Sequence, residues 1–249
     1  TVVVIDTGIA WDHVALGGGY GEDAKVVGGY DYAESDNNPY DDGPYGSHGT
    51  HVAGIIAGDA DRFQGVAPGV DLVSLRVFDD NGKSNINWVE QALQWVHEHR
   101  FDFENPITTI NLSLGVSGVD YQSQLEDELA QLKSDGIFIS VAAGNDFAST
   151  SDTTLRYPAS SDYVVPVASF DSDTGKLSYF SQRNEEVIVA PGRTIYSTLP
   201  DYKGNRNGIA DDYGSYSGTS MAAPYVAGAS VLIREAFAIV GGTDVDQDM

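Results

Sequence analysis

The sequence predicts an α/β fold of three layers, in which helices cover both faces of a mostly parallel central sheet. Short runs rich in β-branched residues alternate with stretches of helical period, and Gly or Pro marks many of the junctions. Alternation of this kind over 249 residues favours parallel strands that are joined by helical crossovers. The length suits one large domain or two small ones.

Each predicted element rests on its apolar pattern. Buried strands are predicted at residues 1–5, 26–32, 70–78, 107–112, 137–142, 164–169 and 187–190. Amphipathic helices are predicted over residues 86–99 and 125–132, a small-residue helix from His48, and an apolar helix over 225–240. Residues 241–249 contain Gly-Gly and three Asp, which indicate an acidic tail or the start of a linker.

The composition excludes several classes of function. Thirteen Lys and Arg against 37 Asp and Glu give a formal charge of −24, which makes nucleic acid and anionic membranes poor partners. The chain has no Cys, so disulfides, thiolate metal sites and a cysteine nucleophile are excluded. No apolar run approaches the roughly 20 residues of a membrane span. Most acids are expected on a solvated surface, with calcium binding and salt tolerance as alternatives.

Four polar residues are placed where catalytic groups gather in such sheets, at strand ends and helix starts. Asp6 and Asn145 follow predicted strands, His48 begins a small-residue helix, and Ser220 precedes an apolar helix. A serine at a helix N-terminus has N–H groups beside it that stabilise an oxyanion, and an amide side chain can add a further donor. The ordinary alternatives are a turn Asp, a structural His, a turn Asn and an N-cap Ser.

Five sequence blocks contain these residues, and in order and spacing they resemble the subtilisin-like serine proteases (subtilases). The blocks are VIDTG at 4–8, SHGTHVAG at 47–54, NLSLG at 111–115, AAGN at 142–145 and SGTSMAAP at 217–224. The resemblance implies a serine endopeptidase of broad specificity whose nucleophile is Ser220, with His48 as general base and then acid. Asp6 would orient His48, and Asn145 would form the oxyanion hole with the Ser220 backbone N–H.

The resemblance also implies a substrate-binding cleft, in which an extended peptide lies between two backbone segments and one pocket takes the side chain before the scissile bond. The expected substrate-binding residues are Gly82, Lys83, Ser84, Ser113, Leu114, Gly115, Ala142, Ala143, Gly144 and Arg156. In the family, small or neutral residues are common at the position of Arg156, near the pocket floor. This arginine could pair with an acidic substrate side chain or turn away to a nearby Asp.

No cofactor is expected for the chemistry, and a structural calcium ion is one interpretation of an oxygen-rich loop. Ala15 stands where well-known subtilisins have an Asp that binds calcium, so the family's tight site is in doubt. Another loop places oxygen-bearing groups at two-residue spacing around a glycine, and a plain Asn-Gly turn is its alternative interpretation. The candidate ligands in that loop are Asp201, Asn205, Asn207, Ile209 and Asp211.

The sequence is thus interpreted as a subtilisin-like catalytic domain over residues 1–240, without the N-terminal arm common in the family. The resemblance implies a secreted enzyme, protein or peptide substrates, and a propeptide inhibitor. A catalytically silent domain used for binding is the alternative from another class. A lipase-like hydrolase would need Gly at Ala222 and a His after Ser220. A sedolisin-type peptidase would use Glu as its base, which His48 opposes.

Overall fold

A computed structural model describes residues 1–116 and 123–242. Its centre is an eight-stranded sheet in the spatial order β10-β8-β7-β6-β1-β5-β2, with the short β9 paired to β8. All neighbours in this order pair in parallel, whereas β9 is antiparallel. The strands of this sheet are β1 Val2–Asp6, β2 Val26–Asp31, β5 Leu72–Arg76, β6 Thr109–Leu112, β7 Phe138–Ala142, β8 Val165–Asp171, β9 Lys176–Leu177 and β10 Ile188–Pro191.

Two further antiparallel pairs lie outside the main sheet: β3 Asp59–Ala60 with β4 Phe63–Gln64, and β11 Ile195–Leu199 with β12 Asp212–Tyr216. The α-helices are α1 His48–Ala57, α2 Ile86–His99, α3 Glu126–Ser134, α4 Phe147–Thr150 and α5 Thr219–Ile239. The predicted three-layer fold is therefore confirmed. Residues 243–249, most of the predicted acidic tail, lie outside the described residues.

Strand β1 shows how the two faces of the sheet are covered. Val3 and Ile5 point into a core shared with α2 and α3, while Val2 and Val4 point into a second core shared with α1 and α5. All four side chains are at most 1% exposed. A strand that is buried on both faces needs apolar residues at every position. The sequence of β1 is therefore continuously apolar up to Asp6 and does not alternate between apolar and polar residues.

The seven predicted strands correspond to the main sheet, and the predicted helix over 86–99 coincides with α2. The five short antiparallel strands were missed, because two-residue strands and a polar hairpin carry little apolar signal. The predicted start of α5 was wrong by six residues, since the helix begins at Thr219 and contains Pro224. Proline cannot donate to the Ser220 carbonyl, but the Ser113 hydroxyl donates to it instead at 2.8 Å. This bond replaces the one that proline removes.

The statement that no apolar run approaches a membrane span also needs correction. Helix α5 has 21 residues, and an 18-residue window within it has a mean hydropathy of 1.3, so by length and composition alone it could cross a bilayer. Its N-terminal half is buried against the sheet, and Ala222, Ala223 and Ala227 are fully inaccessible. The core helix of a protein that does not span a membrane can satisfy the same test, and one third of this window is buried in the fold.

Glycine allows α1 to begin directly against the end of β1. A Cβ atom on Gly49 would lie 2.2 Å from the Gly8 carbonyl oxygen and 3.1 Å from Asp6 Cβ. Any other residue at Gly49 would therefore push the start of the helix away from the strand end. The close approach places His48, the first residue of α1, beside Asp6, the last residue of β1.

We expect Gly49→Ala to lower the free energy of unfolding by about 1–3 kcal/mol, because the added methyl group meets backbone that cannot move freely. Gly69→Ala is the matched control, since nothing lies within 4 Å of its added Cβ. Urea unfolding of both variants measures the difference. Equal stability of the two variants would contradict the close-packing argument.

Candidate active site

The ends of β1 and α1 bring Asp6 and His48 together. His48 Nδ1 lies 2.8 Å from Asp6 Oδ1 and 3.0 Å from Oδ2, and the backbone N–H of Thr7 donates to the same carboxylate at 2.7 Å. Asp6 is completely buried, whereas the His48 side chain is 33% exposed. Burial lowers the pKa of His48, but the Asp6 carboxylate outweighs it, so this pKa lies above the ordinary 6.5.

A second buried carboxylate, Asp41, holds the start of α1. Its oxygens accept hydrogen bonds from the backbone N–H groups of Ser47 and Thr50 and from the Thr50 hydroxyl, at 2.6–3.0 Å. Burial raises the pKa of Asp41 to about 6, and the hydrogen bonds from Thr50 and Ser47 oppose the rise. Ser47 makes no side-chain cap itself. Asp41 therefore fixes the first turn of the helix that carries His48.

Ser220 lies in the first turn of α5 and faces the same cavity as His48. Its hydroxyl donates to the Ser113 carbonyl oxygen at 3.1 Å, and among the described residues it has no hydrogen bond to His48. A hydroxyl that donates to this carbonyl does not donate to His48 at the same time. Catalytic hydrogen bonds in enzymes without substrate are often long or misdirected in this way.

Asn145 is oriented by Thr219, the residue before Ser220. Its Oδ1 accepts from the Thr219 backbone N–H at 2.9 Å and from the Thr219 hydroxyl at 3.1 Å. The Thr219 hydroxyl in turn accepts from the Gly144 N–H at 3.1 Å. Because the carbonyl end of the amide is held, its Nδ2 remains as a donor beside the cavity. This Nδ2 and the backbone nitrogen of Ser220 lie 3.5 and 3.6 Å from the position that a Cβ on Gly218 would take.

One open cavity of about 620 Å³ is lined by Asp6, His48, Asn145 and Ser220, and also by most of the predicted substrate-binding residues. Of that set, the residues that line it are Gly82, Ser113, Leu114, Gly115, Ala142, Gly144 and Arg156. Three predicted residues do not. Ser84 lines the neighbouring cavity, Lys83 is exposed on the rim, and the Ala143 side chain is buried in the core. Ala143 contributes only through its backbone, whose carbonyl accepts the Arg156 N–H at 3.1 Å.

The chain is similar to proteins of a known family. A model of the subtilase family matches residues 1–247. The chain belongs to the subtilase family. Subtilisin E of Bacillus subtilis is 37% identical over 234 residues, which cover 93% of this chain and 54% of that protein. The chain therefore spans about half the length of that relative.

A second relative and a solved structure agree with this assignment. The major intracellular serine protease of Bacillus subtilis is 34% identical over 239 residues, 94% of this chain and 67% of that protein. Fervidolysin of Fervidobacterium pennivorans, described as a keratinolytic enzyme related to subtilisin, superposes with a TM-score of 0.77 at 32% identity. The match covers 95% of this subtilase and 36% of fervidolysin. Because one relative is intracellular, family membership is compatible with either compartment.

Arg156 lies in the cavity of this subtilase but is already paired. Its Nε donates to Asp146 Oδ2 at 2.7 Å, and the Arg156 side chain is 19% exposed. Its Cβ and Cγ fill the space that side chains at Gly115 and Gly144 would occupy. The arginine pairs with a neighbouring Asp, which was one of the two alternatives from the sequence, although it still lines the cleft. Its pairing with an acidic substrate side chain stays a prediction.

The predicted calcium loop forms a series of turns that its own oxygens stabilise. Asp201 accepts from the backbone N–H groups of Asn207 and Gly208, and Asn205 and Asn207 each accept from the residue two positions on. Within 1–116 and 123–242, no group of three or more His, Cys, Asp or Glu is arranged to hold a metal. Ala15, at the position of the family's ligand, is fully buried.

His51 has the structural role that the sequence analysis favoured over metal binding. It is fully buried, stacks on Tyr216 at 4.5 Å, and its Nε2 lies 3.0 Å from the Ile195 carbonyl oxygen. Burial lowers the pKa of His51 to about 4, so it is neutral at ordinary pH.

Sequence reasoning missed Asp41, Thr219 and Asp146, which position the predicted groups. Thr219 could have been found, because it lies inside the SGTSMAAP block beside Ser220. Asp41 gave no such signal, since it lies among several loop acids, and most acids were expected on a solvated surface.

Proposed function

We propose that this subtilase is a serine endopeptidase that cleaves peptide bonds through an acyl-enzyme on Ser220. The observation that carries the proposal is the Asp6–His48 contact of 2.8 Å. Both residues line the same cavity as Ser220 and Asn145. A carboxylate on Nδ1 leaves Nε2 of the neutral imidazole as the proton acceptor. Membership in a family of serine proteases supports the same chemistry.

In the proposed reaction, His48 takes the Ser220 proton as the hydroxyl oxygen attacks the peptide carbonyl carbon. The oxyanion that forms accepts hydrogen bonds from Asn145 Nδ2 and the Ser220 backbone N–H. His48 then gives its proton to the leaving amine, and water hydrolyses the ester by the reverse transfers. The Asp6 carboxylate stabilises the imidazolium in both steps.

A fluorophosphonate probe tests this proposal, because it labels only an activated serine. We expect wild-type protein to be labelled at Ser220 and Ser220→Ala to remain unlabelled. Ser134→Ala is the control, since Ser134 is exposed on α3, away from the cavity. A folded wild-type protein that stays unlabelled and cleaves no peptide would favour the alternative function, a silent domain used for binding.

We propose broad specificity, with recognition mainly through the peptide backbone. The segment at 82–84 is exposed, as is Gly115 at the end of the facing segment, so both can pair with an extended substrate. The Arg156–Asp146 pair determines how much an acidic side chain before the scissile bond can contribute to substrate binding. While it is intact, Asp146 neutralises the cation, and acidic substrate side chains gain little from it.

Asp146→Asn therefore tests the pocket. We expect the ratio of kcat/KM between matched peptides with Glu and Gln before the scissile bond to rise by about three- to tenfold, since Arg156 loses its anion. The counterpart Arg156→Gln should lower that ratio or leave it unchanged. A ratio that Asp146→Asn does not raise would exclude Arg156 from acid recognition.

We further propose that the enzyme acts outside the cell and is made with a propeptide inhibitor, as the resemblance to subtilisins implies. The charge of −24 suits a protein that must remain dissolved without partners. Activity recovered from the culture medium rather than from the cells of the source would support the location, and recovery only from cells would contradict it.

A structural calcium ion in the loop at 201–212 remains a proposal, supported by the oxygen-rich donor set and by Asp212 Oδ2, which is buried without a hydrogen-bond partner. We expect calcium to raise the Tm and a chelator to reverse the rise, because an ion that binds only the folded state stabilises it. Asp201→Asn should weaken the effect. The same Tm with calcium and with chelator would contradict the proposal.

A further inference from the structure

Arg76 is a buried cation at the carboxyl end of β5, next to the cleft but outside its lining. Its side chain is only 2% exposed, the most buried position of any ion-paired cation in the described ranges. Burying a guanidinium costs several kcal/mol unless anions and acceptors surround it. The chain meets this need with carboxylates drawn from two separate loops.

The first loop runs from the end of β2 to the start of α1. Arg76 Nη1 lies 2.9 Å from Asp31 Oδ2 and 3.0 Å from Asp42 Oδ1, with Glu34 farther away at 3.8 Å. Asp42 directly follows Asp41, the carboxylate that holds the first turn of the helix carrying His48. Arg76 therefore contacts the residue next to Asp41, whose carboxylate holds the start of the helix that carries His48.

The second loop continues from β5 into the substrate-binding segment at 82–84. Arg76 Nη2 donates to Asp80 Oδ1 at 2.6 Å, and Nε donates to the Phe78 carbonyl oxygen at 3.1 Å. Asp80 lies in a tight turn in which the Gly82 N–H donates to the Asp79 carbonyl oxygen at 2.9 Å. This turn sets the position of Gly82, which lines the cleft.

The two loops also touch each other above Arg76. A Cβ on Gly43 would lie 2.7 Å from Asp80 Cα, and a Cβ on Gly82 would lie 3.1 Å from Tyr45 Cβ. The loop before His48 thus packs against the turn before the substrate segment at two points. The Arg76 guanidinium contacts both loops: Nη1 binds the first loop through Asp42, and Nη2 binds the second through Asp80.

We propose that Arg76 is a positioning residue that sets the spacing between the catalytic histidine and the backbone segment that binds the substrate. The inference rests on the proposed function, since it concerns how the same cleft aligns an extended peptide. The two ion pairs of Arg76 have different kinetic consequences. The pair with Asp80 positions the segment that binds the substrate, and the pair with Asp42 supports the helix of His48.

The test changes the exposed carboxylates rather than Arg76, because removing the cation would leave Asp31 buried without its partner. Asp80 and Asp42 are 53% and 49% exposed, so their truncation does not disrupt the core. Asp36→Ala is the matched control, with the same charge change in the first loop and no ion pair to Arg76. Kinetics are measured with a four-residue peptide substrate and with a single-residue ester that does not reach segment 82–84.

We expect Asp80→Ala to raise KM for the peptide by about three- to tenfold while kcat and the kinetics of the ester stay unchanged. Asp42→Ala should instead lower kcat by a similar factor for both substrates, and Asp36→Ala should match wild type. A purely structural role would lower the Tm without this division between KM and kcat, and that result would overturn the inference. If wild type cleaves neither substrate and resists the fluorophosphonate, the proposed function itself fails, and this inference fails with it.

Discussion

The contact between Asp6 and His48 is the constraint on which the rest of the site depends. It requires the end of a central strand and the first turn of a helix to meet at a distance that only a glycine at position 49 permits. The apolar residues of β1 fix the strand between two cores, and the Asp41 carboxylate fixes the helix. The imidazole is therefore held by packing and hydrogen bonds before any substrate arrives, which is the preorganisation that catalysis needs.

The strongly acidic composition separates into groups with different physical roles. Asp6, Asp31 and Asp41 are completely buried, and each is satisfied by a cation or by several N–H and O–H donors. Most acids were expected on a solvated surface, and Asp41 is a buried exception to that expectation. Charge counts cannot reveal such cases, because burial depends on which distant segment supplies the partner, and Arg76 is 45 positions from Asp31.

The sequence predicted the sheet and four of the helices, because buried parallel strands and apolar helix faces leave strong local signals. The predicted substrate-binding residues came from the resemblance to subtilases, and three of them, Lys83, Ser84 and Ala143, do not line the cavity. Contacts between segments distant in sequence were not predicted. The Ser113 hydroxyl compensates for Pro224, which is why α5 begins six residues before the predicted start. Arg156 could be placed near the cleft from the sequence, but its pairing with Asp146 required coordinates. The local sequence pattern identifies residues near the cleft, and the tertiary packing determines which partners their side chains contact.

The pKa of His48, followed by NMR in wild type and in Asp6→Asn, tests most directly whether this contact governs the site. The Asp6 carboxylate raises the pKa in wild type, so the imidazole should titrate above 6.5. Without that charge the effect of burial remains, and the pKa should fall below 6.5. Equal values in the two proteins would contradict the account, since the carboxylate would then exert no control over the imidazole.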